Sequence, residues 1–218
     1  MMTPSVHNNF SNESIIWIMD ALRKFPEHRE RLIDCFWRGQ VESKTWLVDV
    51  LNNGYVNPSY NKGHNVYIFG GWYGVLASML FDSATFPINL IRSIDIDPGC
   101  ELVADHVNKI NEMNKWRFKA FTSDMADWEY DHTPTVVINT STEHVHQEIY
   151  DIWFNNIPKD TLVVVQGNDF FTCPEHVRCS NNLEEFIEQS RLSQVLWSGE
   201  FRADAGSGYT RYMAIGQK

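Results

Sequence analysis

The stretch Ile68-Phe-Gly-Gly-Trp-Tyr-Gly74 sets glycines at 70, 71 and 74 directly behind a short apolar run. Glycine there opens backbone angles closed to other residues and lets a ligand or a helix come close to the chain. Asp95, in Ser-Ile-Asp-Ile-Asp-Pro, follows Gly74 by 21 positions. That is near the roughly 20-residue spacing at which an acid reaches the ribose hydroxyls of a bound nucleoside. Asp124-Met125 offers a carboxylate for an adenine amino group and a thioether to pack on its ring. The run Asn139-Thr-Ser-Thr-Glu-His144 is densely polar. Glu143 and His144 are its acid–base candidates, because imidazole titrates near neutrality and a neighbouring carboxylate can orient an amine. The structural alternative is that Thr140 or Thr142 caps the next helix, with Glu143 in its first turn.

Two further groups carry chemistry of weaker pattern. Asn168-Asp169 and Tyr209/Arg211 stand where they could line the same cleft, or serve as turn and edge-strand residues. Cys173-Pro-Glu-His176-Val-Arg-Cys179 offers three ligand types, whereas a structural zinc takes four. The fourth would come from Cys35, His132 or His144; a loop with two free cysteines is the simpler reading, and no metal is expected. His176 is alternatively a substrate contact.

The elements that must position these groups follow from periodicity. Residues 11–24 place Ile15, Ile18, Met19 and Leu22 at helical spacing behind Ser11 as a cap. Residues 27–40 predict a second helix after Pro26, and 43–54 a third, with Gly54 as its stop. From residue 65 the pattern alternates: strands at 65–69, 90–94, 116–121, 135–140 and 161–166, with helices at 74–81, 98–113, 145–156 and 182–191. In the 98–113 helix Leu102, His106, Val107 and Ile110 share one side. Strands at 193–201 and 209–216 follow, joined by the turn-rich Ala-Asp-Ala-Gly-Ser-Gly.

Short apolar strands alternating with helices indicate a parallel sheet covered on both faces. The prediction is an α/β fold, Rossmann-like and doubly wound, with a mostly parallel sheet and an antiparallel strand from the closing hairpin. Residues 1–62 form an N-terminal helical extension or lid, and 63–218 the ligand-binding domain. Gln40, Glu42, Ser43, Lys44 and Trp46 come just before the sheet and can reach its cleft. In such sheets ligands bind beyond the carboxyl ends of the strands, where the candidates above cluster.

The order Ile-Phe-Gly-Gly-Trp-Tyr-Gly, Ser-Ile-Asp-Ile-Asp-Pro, Thr-Ser-Asp-Met and Val-Val-Ile-Asn-Thr-Ser-Thr-Glu-His resembles the class I S-adenosylmethionine-dependent methyltransferases across residues 63–218. The resemblance implies seven strands with the last antiparallel, and S-adenosyl-L-methionine as cofactor. It implies that Gly70, Gly71, Trp72, Tyr73 and Gly74 lie against the methionine part. It sets Asp95, with Ile96, at the ribose, Asp124 and Met125 at the adenine, and Asn139 near the sulfonium. Trp72 departs from the usual glycine, and Ile68 replaces a common acid just before the loop. No Asp-Pro-Pro-Tyr or Asn-Pro-Pro-Tyr follows the fourth strand, so nothing points to methylation of nucleic-acid bases. The glycine loop and Ile-Asp-Ile-Asp are also similar to aminopropyltransferases, but those carry an aspartate base where Asn139 stands.

Composition narrows the reading. A net charge of −10 argues against broad nucleic-acid or anionic-membrane binding, leaving a local basic patch at Arg23, Lys24, Arg29, Arg31 and Arg38. No apolar run is long enough to span a membrane, no leader is visible, and the four scattered cysteines suggest a reducing, cytoplasmic setting. The expected function is methyl transfer to a small-molecule acceptor by a cytoplasmic transferase. The alternatives are aminopropyl or aminocarboxypropyl transfer, tRNA methylation, and a non-catalytic adenosyl-binding or interaction protein. Homo-oligomeric assembly stays open.

Overall fold

The computed structural model describes residues 10–113, 116–202 and 208–218. The stretch 1–9, read above for a leader, and residues 203–207 of the predicted hairpin turn lie outside the described residues.

Seven strands form one sheet: β1 (His64–Phe69), β2 (Ile88–Asp95), β3 (Phe118–Thr122), β4 (Val136–Asn139), β5 (Leu162–Asn168), β6 (Gln194–Arg202) and β7 (Thr210–Gln217). Their order is β3-β2-β1-β4-β5-β7-β6. β1 to β5 pair in parallel, and β7 runs antiparallel to both β5 and β6. This is the predicted mixed sheet, with the antiparallel strand slotted inside the edge strand. The central strands β1, β4 and β5 read as apolar runs because both faces are covered. Val66 and Ile68 enter one core with α4 (Val75–Ser83) and α5 (Glu101–Val107), while Tyr67 and Phe69 enter a second. That second core holds Tyr150, Trp153 and Phe154 of α7 (Gln147–Asn156) and Phe186 of α8 (Leu183–Ser190).

The N-terminal helices share the first core through Ile18, Leu32, Trp46 and Leu47. α1 (Asn12–Lys24) begins as predicted at Ser11, whose hydroxyl accepts from Ser14 N at 3.1 Å. Two boundaries differ from expectation. The second helix ends early: α2 is Arg29–Asp34, and α3 starts at Arg38 and runs to Val50. At the break Cys35 is buried and the half-buried Phe36 ring packs 5.7 Å from Phe10. The predicted 98–113 helix splits at Asn108 into α5 and α6 (Lys109–Met113). Asn108 is buried and its amide donates to Gly74 O at 3.0 Å and to Ala104 O at 3.1 Å. The inward face is therefore Val103, Ala104, His106 and Val107, while Leu102 and Ile110 are exposed.

That Asn108 bond pins the end of the glycine turn. Gly74 sits at φ +72°, and a Cβ there would come 2.5 Å from Asn108 Nδ2 and 3.3 Å from Phe118 Cζ. Left-handed backbone and overpacking add, so Gly74→Ala should destabilise the fold by about 2–4 kcal/mol, read from urea unfolding. Among the described residues, no helix is long and apolar enough to cross a membrane.

Candidate functional site

The sheet's switch point falls between β1 and β4, where the connections leave toward opposite edges. A cavity of about 840 Å³ opens there, at the carboxyl ends of β1 to β4 and beneath α2 and α3. Its floor is the turn after β1. Gly70 has φ +62°, and a Cβ on it would meet Ser141 Oγ at 2.8 Å, so the turn after β4 closes directly on it. Trp72 holds φ +48°, a conformation costly for a bulky side chain. Asp95 stabilises it: its Oδ2 accepts from Trp72 N at 2.8 Å, and its Oδ1 from Asp97 N at 3.0 Å. The Trp72 ring lines the cavity and stacks 5.9 Å from the buried Tyr73.

Tyr73 joins the turn to the N-terminal layer. His28 Nδ1 lies 3.0 Å from its hydroxyl, and the Arg31 guanidinium stands 5.4 Å over its ring. Burial pushes the Tyr73 phenol up to about 12, so it stays a neutral strut. Arg31 also pairs with Asp97 at 2.6 Å. Of the basic patch read from sequence, Arg38 pairs with Glu42 at 2.6 Å, and Arg29 donates to Leu22 O at 3.0 Å.

Ile96, Asp124 and Met125 line the cavity beside Asp95. Asp124 Oδ1 also accepts from Ala126 N at 2.9 Å, capping the short turn that aims Met125. Asn139 does not join them. It is fully buried below the floor, with Oδ1 accepting from Ser141 N at 3.0 Å and Nδ2 at 3.8 Å from Met125 Sδ. Its amide shapes the β4 turn and holds Met125 rather than facing the cavity.

The opposite end of the cavity is strongly polar. Glu143 and Arg211, both buried, pair at 3.2 Å, and Glu143 Oε1 also accepts from Asn168 Nδ2 at 2.7 Å. Glu143 Oε2 and Arg211 Nε are buried with no partner among the described residues. Lys44 lies in the same cluster, donating to Gln40 Oε1 at 2.7 Å. Burial, and then the Arg211 charge, lowers the Lys44 ammonium to about 8. His144, exposed, faces this end with Glu175 and His146. Burial holds the His176 imidazole below its ordinary value. Cys35 lines the cavity too, but burial pushes its thiol up to about 12, which makes it a wall and no nucleophile.

The structure thus gathers into one cavity Gly70–Tyr73 of the glycine turn, Asp95, Ile96, Asp124, Met125, Glu143, His144 and Arg211, with Gln40 and Lys44 from the N-terminal layer, while Gly74 packs against Asn108 and Phe118 instead. Asn168 reaches the site only through Glu143, and Asp169 is spent on Thr210 N at 2.7 Å. Tyr209 stacks on Phe170 at 5.6 Å. Asp34 had no sequence signal, and Arg31 was read only as part of a basic patch, since both stand far from any strand end.

No protein-family model and no curated protein sequence matches this chain. Solved structures do match it. The MccD protein aligns with TM-score 0.61 at 11% identity, over 79% of this chain and 96% of its own. Coclaurine N-methyltransferase, bound to N-methylheliamine and SAH, aligns with TM-score 0.58 at 9% identity, over 81% and 73%. Magnesium protoporphyrin IX methyltransferase from Synechocystis, with bound SAH, aligns with TM-score 0.56 at 13% identity, over 82% and 85%. The strand order and these matches together give the chain the Rossmann-like fold of class I S-adenosylmethionine-dependent methyltransferases.

Proposed function

We propose that this chain transfers a methyl group from S-adenosylmethionine to a small-molecule acceptor. The observation that carries the reading is the convergence of Gly70–Tyr73, Asp95 and Asp124-Met125 on one cavity. Its volume lies within the range of about 300–1,000 Å³ usual for small-molecule sites. Two of the fold neighbours hold SAH in an equivalent fold, which supports an adenosyl ligand here.

The residues fit such a donor. The Asp95 carboxylate has about four acceptor positions and uses two of them on backbone N–H groups, leaving capacity for ribose hydroxyls. Asp124 and Met125 would meet the adenine. Bound there, the donor supplies an electrophilic methyl group, and the protein's part is to hold a nucleophile in line and shield it from water. Glu143 and His144 stand at the end where the acceptor would enter.

The buried charges favour the complete donor over its decarboxylated form. Lys44 and Arg211 are two cations set against the single buried carboxylate of Glu143. That imbalance suits a ligand bringing a carboxylate, and it disfavours aminopropyl transfer. Calorimetry with S-adenosylmethionine, its decarboxylated analogue and S-adenosylhomocysteine tests this. Both carboxylated ligands should bind at least tenfold tighter than the decarboxylated one. The opposite order would favour aminopropyl transfer, and no binding of any of the three by folded protein would defeat both enzyme readings.

A further inference from the structure

Beside the donor pocket, two neighbouring side chains after β4 meet a third from the loop after β5 at its polar end. One ligand atom each from Glu143, His144 and His176 lies within 4.8 Å of the others. We propose that they form a binding site for a divalent first-row transition metal, with open positions facing the cavity.

Three independent observations support it. The first is the orphaned oxygen: Glu143 Oε2 is buried without a partner, a costly state that a cation would relieve. Its other oxygen is fixed by Asn168 and Arg211, so the carboxylate is oriented with one oxygen left over. The second is the way both imidazoles are held. His144 Nδ1 lies 3.2 Å from Glu175 O, and His176 Nδ1 lies 3.0 Å from Phe170 O. A ring nitrogen facing a carbonyl must carry the proton, which leaves each Nε2 with its lone pair for a metal. Outer hydrogen bonds of this kind orient most metal-bound histidines. The third is the scaffold. Val177 N and Arg178 N both donate to Glu143 O, at 2.8 and 3.0 Å, locking the His176 loop onto the turn that carries Glu143 and His144.

Two nitrogens and one carboxylate suit zinc, iron(II), cobalt(II) or manganese(II). Bonds of about 2.0–2.2 Å place neighbouring ligand atoms roughly 3 Å apart, so the set must draw together on binding. His144 is exposed and has room to move. The Arg211 and Lys44 cations work against a further positive charge, so the site should be of moderate affinity and labile. This assignment replaces the Cys173-His176-Cys179 grouping suggested by spacing alone. Cys179 Sγ lies 3.8 Å from His176 Nδ1, on the side of the ring turned away from the lone pair.

Metal binding is independent of the methyl-transfer reading; the acceptor class it implies rests on that reading. A metal here would take oxygen ligands from an acceptor and lower the pKa of a coordinated hydroxyl. The favoured acceptor is therefore an oxygen chelate, such as a vicinal diol or hydroxy acid.

The test uses the full-length chain, stripped with a chelator and titrated with Co(II) and Zn(II) without any donor. One equivalent of Co(II) should bind with a visible d–d spectrum and no thiolate charge-transfer band. His144→Ala, an exposed substitution that leaves the core intact, and Glu143→Gln should each weaken binding at least 30-fold. The double variant Cys173→Ser/Cys179→Ser should bind as the parent does. Absence of stoichiometric binding, indifference to His144→Ala, or a thiolate band lost in the cysteine variant would each overturn the assignment. Donor calorimetry on the same stripped protein reports separately on the methyl-transfer reading.

Discussion

Asp95→Ala should weaken S-adenosylmethionine binding by about 10²- to 10⁴-fold, measured by calorimetry. The estimate follows from two charge-assisted hydrogen bonds to ribose, each worth about 1.5–3 kcal/mol. Asp95 also anchors Trp72 N and Asp97 N, so part of the loss would come from release of the glycine turn. The two contributions separate with a ligand pair, adenosine and 2′,3′-dideoxyadenosine. The parent should prefer adenosine strongly, and Asp95→Ala should bind both alike. A loosened turn alone would lower both affinities and keep the preference. Asp95→Asn, which keeps one acceptor oxygen but no charge, should fall between. Unchanged affinity in Asp95→Ala would show that the cofactor does not lie against this carboxylate.

Trp72 gains a role from the same geometry. A bulky residue at φ +48° persists where surroundings over-determine it, and here Asp95 holds its amide while Tyr73 stacks on its ring. Tyr73 is in turn held by His28 and Arg31. The two aromatics that look out of place in a glycine turn thus couple the cavity floor to the helices above it.

The alternation of strands and helices was legible because parallel strands buried on both faces leave continuous apolar runs. Asp95 and Asp124 stood out because they follow strands, where chain topology alone fixes position. The helix breaks were not legible. Asn108 ends α5 by bonding to Gly74 O, and no local pattern announces a partner that far along the chain. The same holds for the polar end of the cavity. Lys44 comes from α3 and Arg211 from β7, and only the folded sheet brings them together. His176 was grouped with nearby cysteines by spacing, while its loop is tied by backbone hydrogen bonds to Glu143. Asn139 is the converse case. Its place after β4 suggested a contact with the ligand, whereas in the structure its Oδ1 accepts from Ser141 N in the turn and its Nδ2 faces Met125 Sδ.

Lys44→Met should stabilise the protein at pH 7 while impairing donor binding. Lowering the ammonium from 10.5 to about 8 corresponds to about 3 kcal/mol against the charged form in the fold. Loss of the bond to Gln40 returns about 1 kcal/mol of that, for a net gain of about 2 kcal/mol. For a chain of this size each kcal/mol raises Tm by about 2–4 °C. The sign with pH is fixed by linkage. Between pH 8 and 10.5 the unfolded chain holds a proton at Lys44 that the folded one has lost, so the parent gains stability as pH rises there. The variant's advantage should therefore be largest below pH 8, vanish near pH 9.5 and reverse by about 1 kcal/mol above pH 10.5, where only the lost Gln40 bond remains, as followed by thermal unfolding. Binding should move the other way. If the ammonium faces the donor's carboxylate, S-adenosylmethionine affinity in the parent should fall as pH rises past 8, because the lysine must take up a proton to bind. Lys44→Met should lose that pH dependence together with the preference for the carboxylated donor. A stabilised variant that kept both would place the donor's carboxylate away from Lys44 and leave the buried cations to the acceptor.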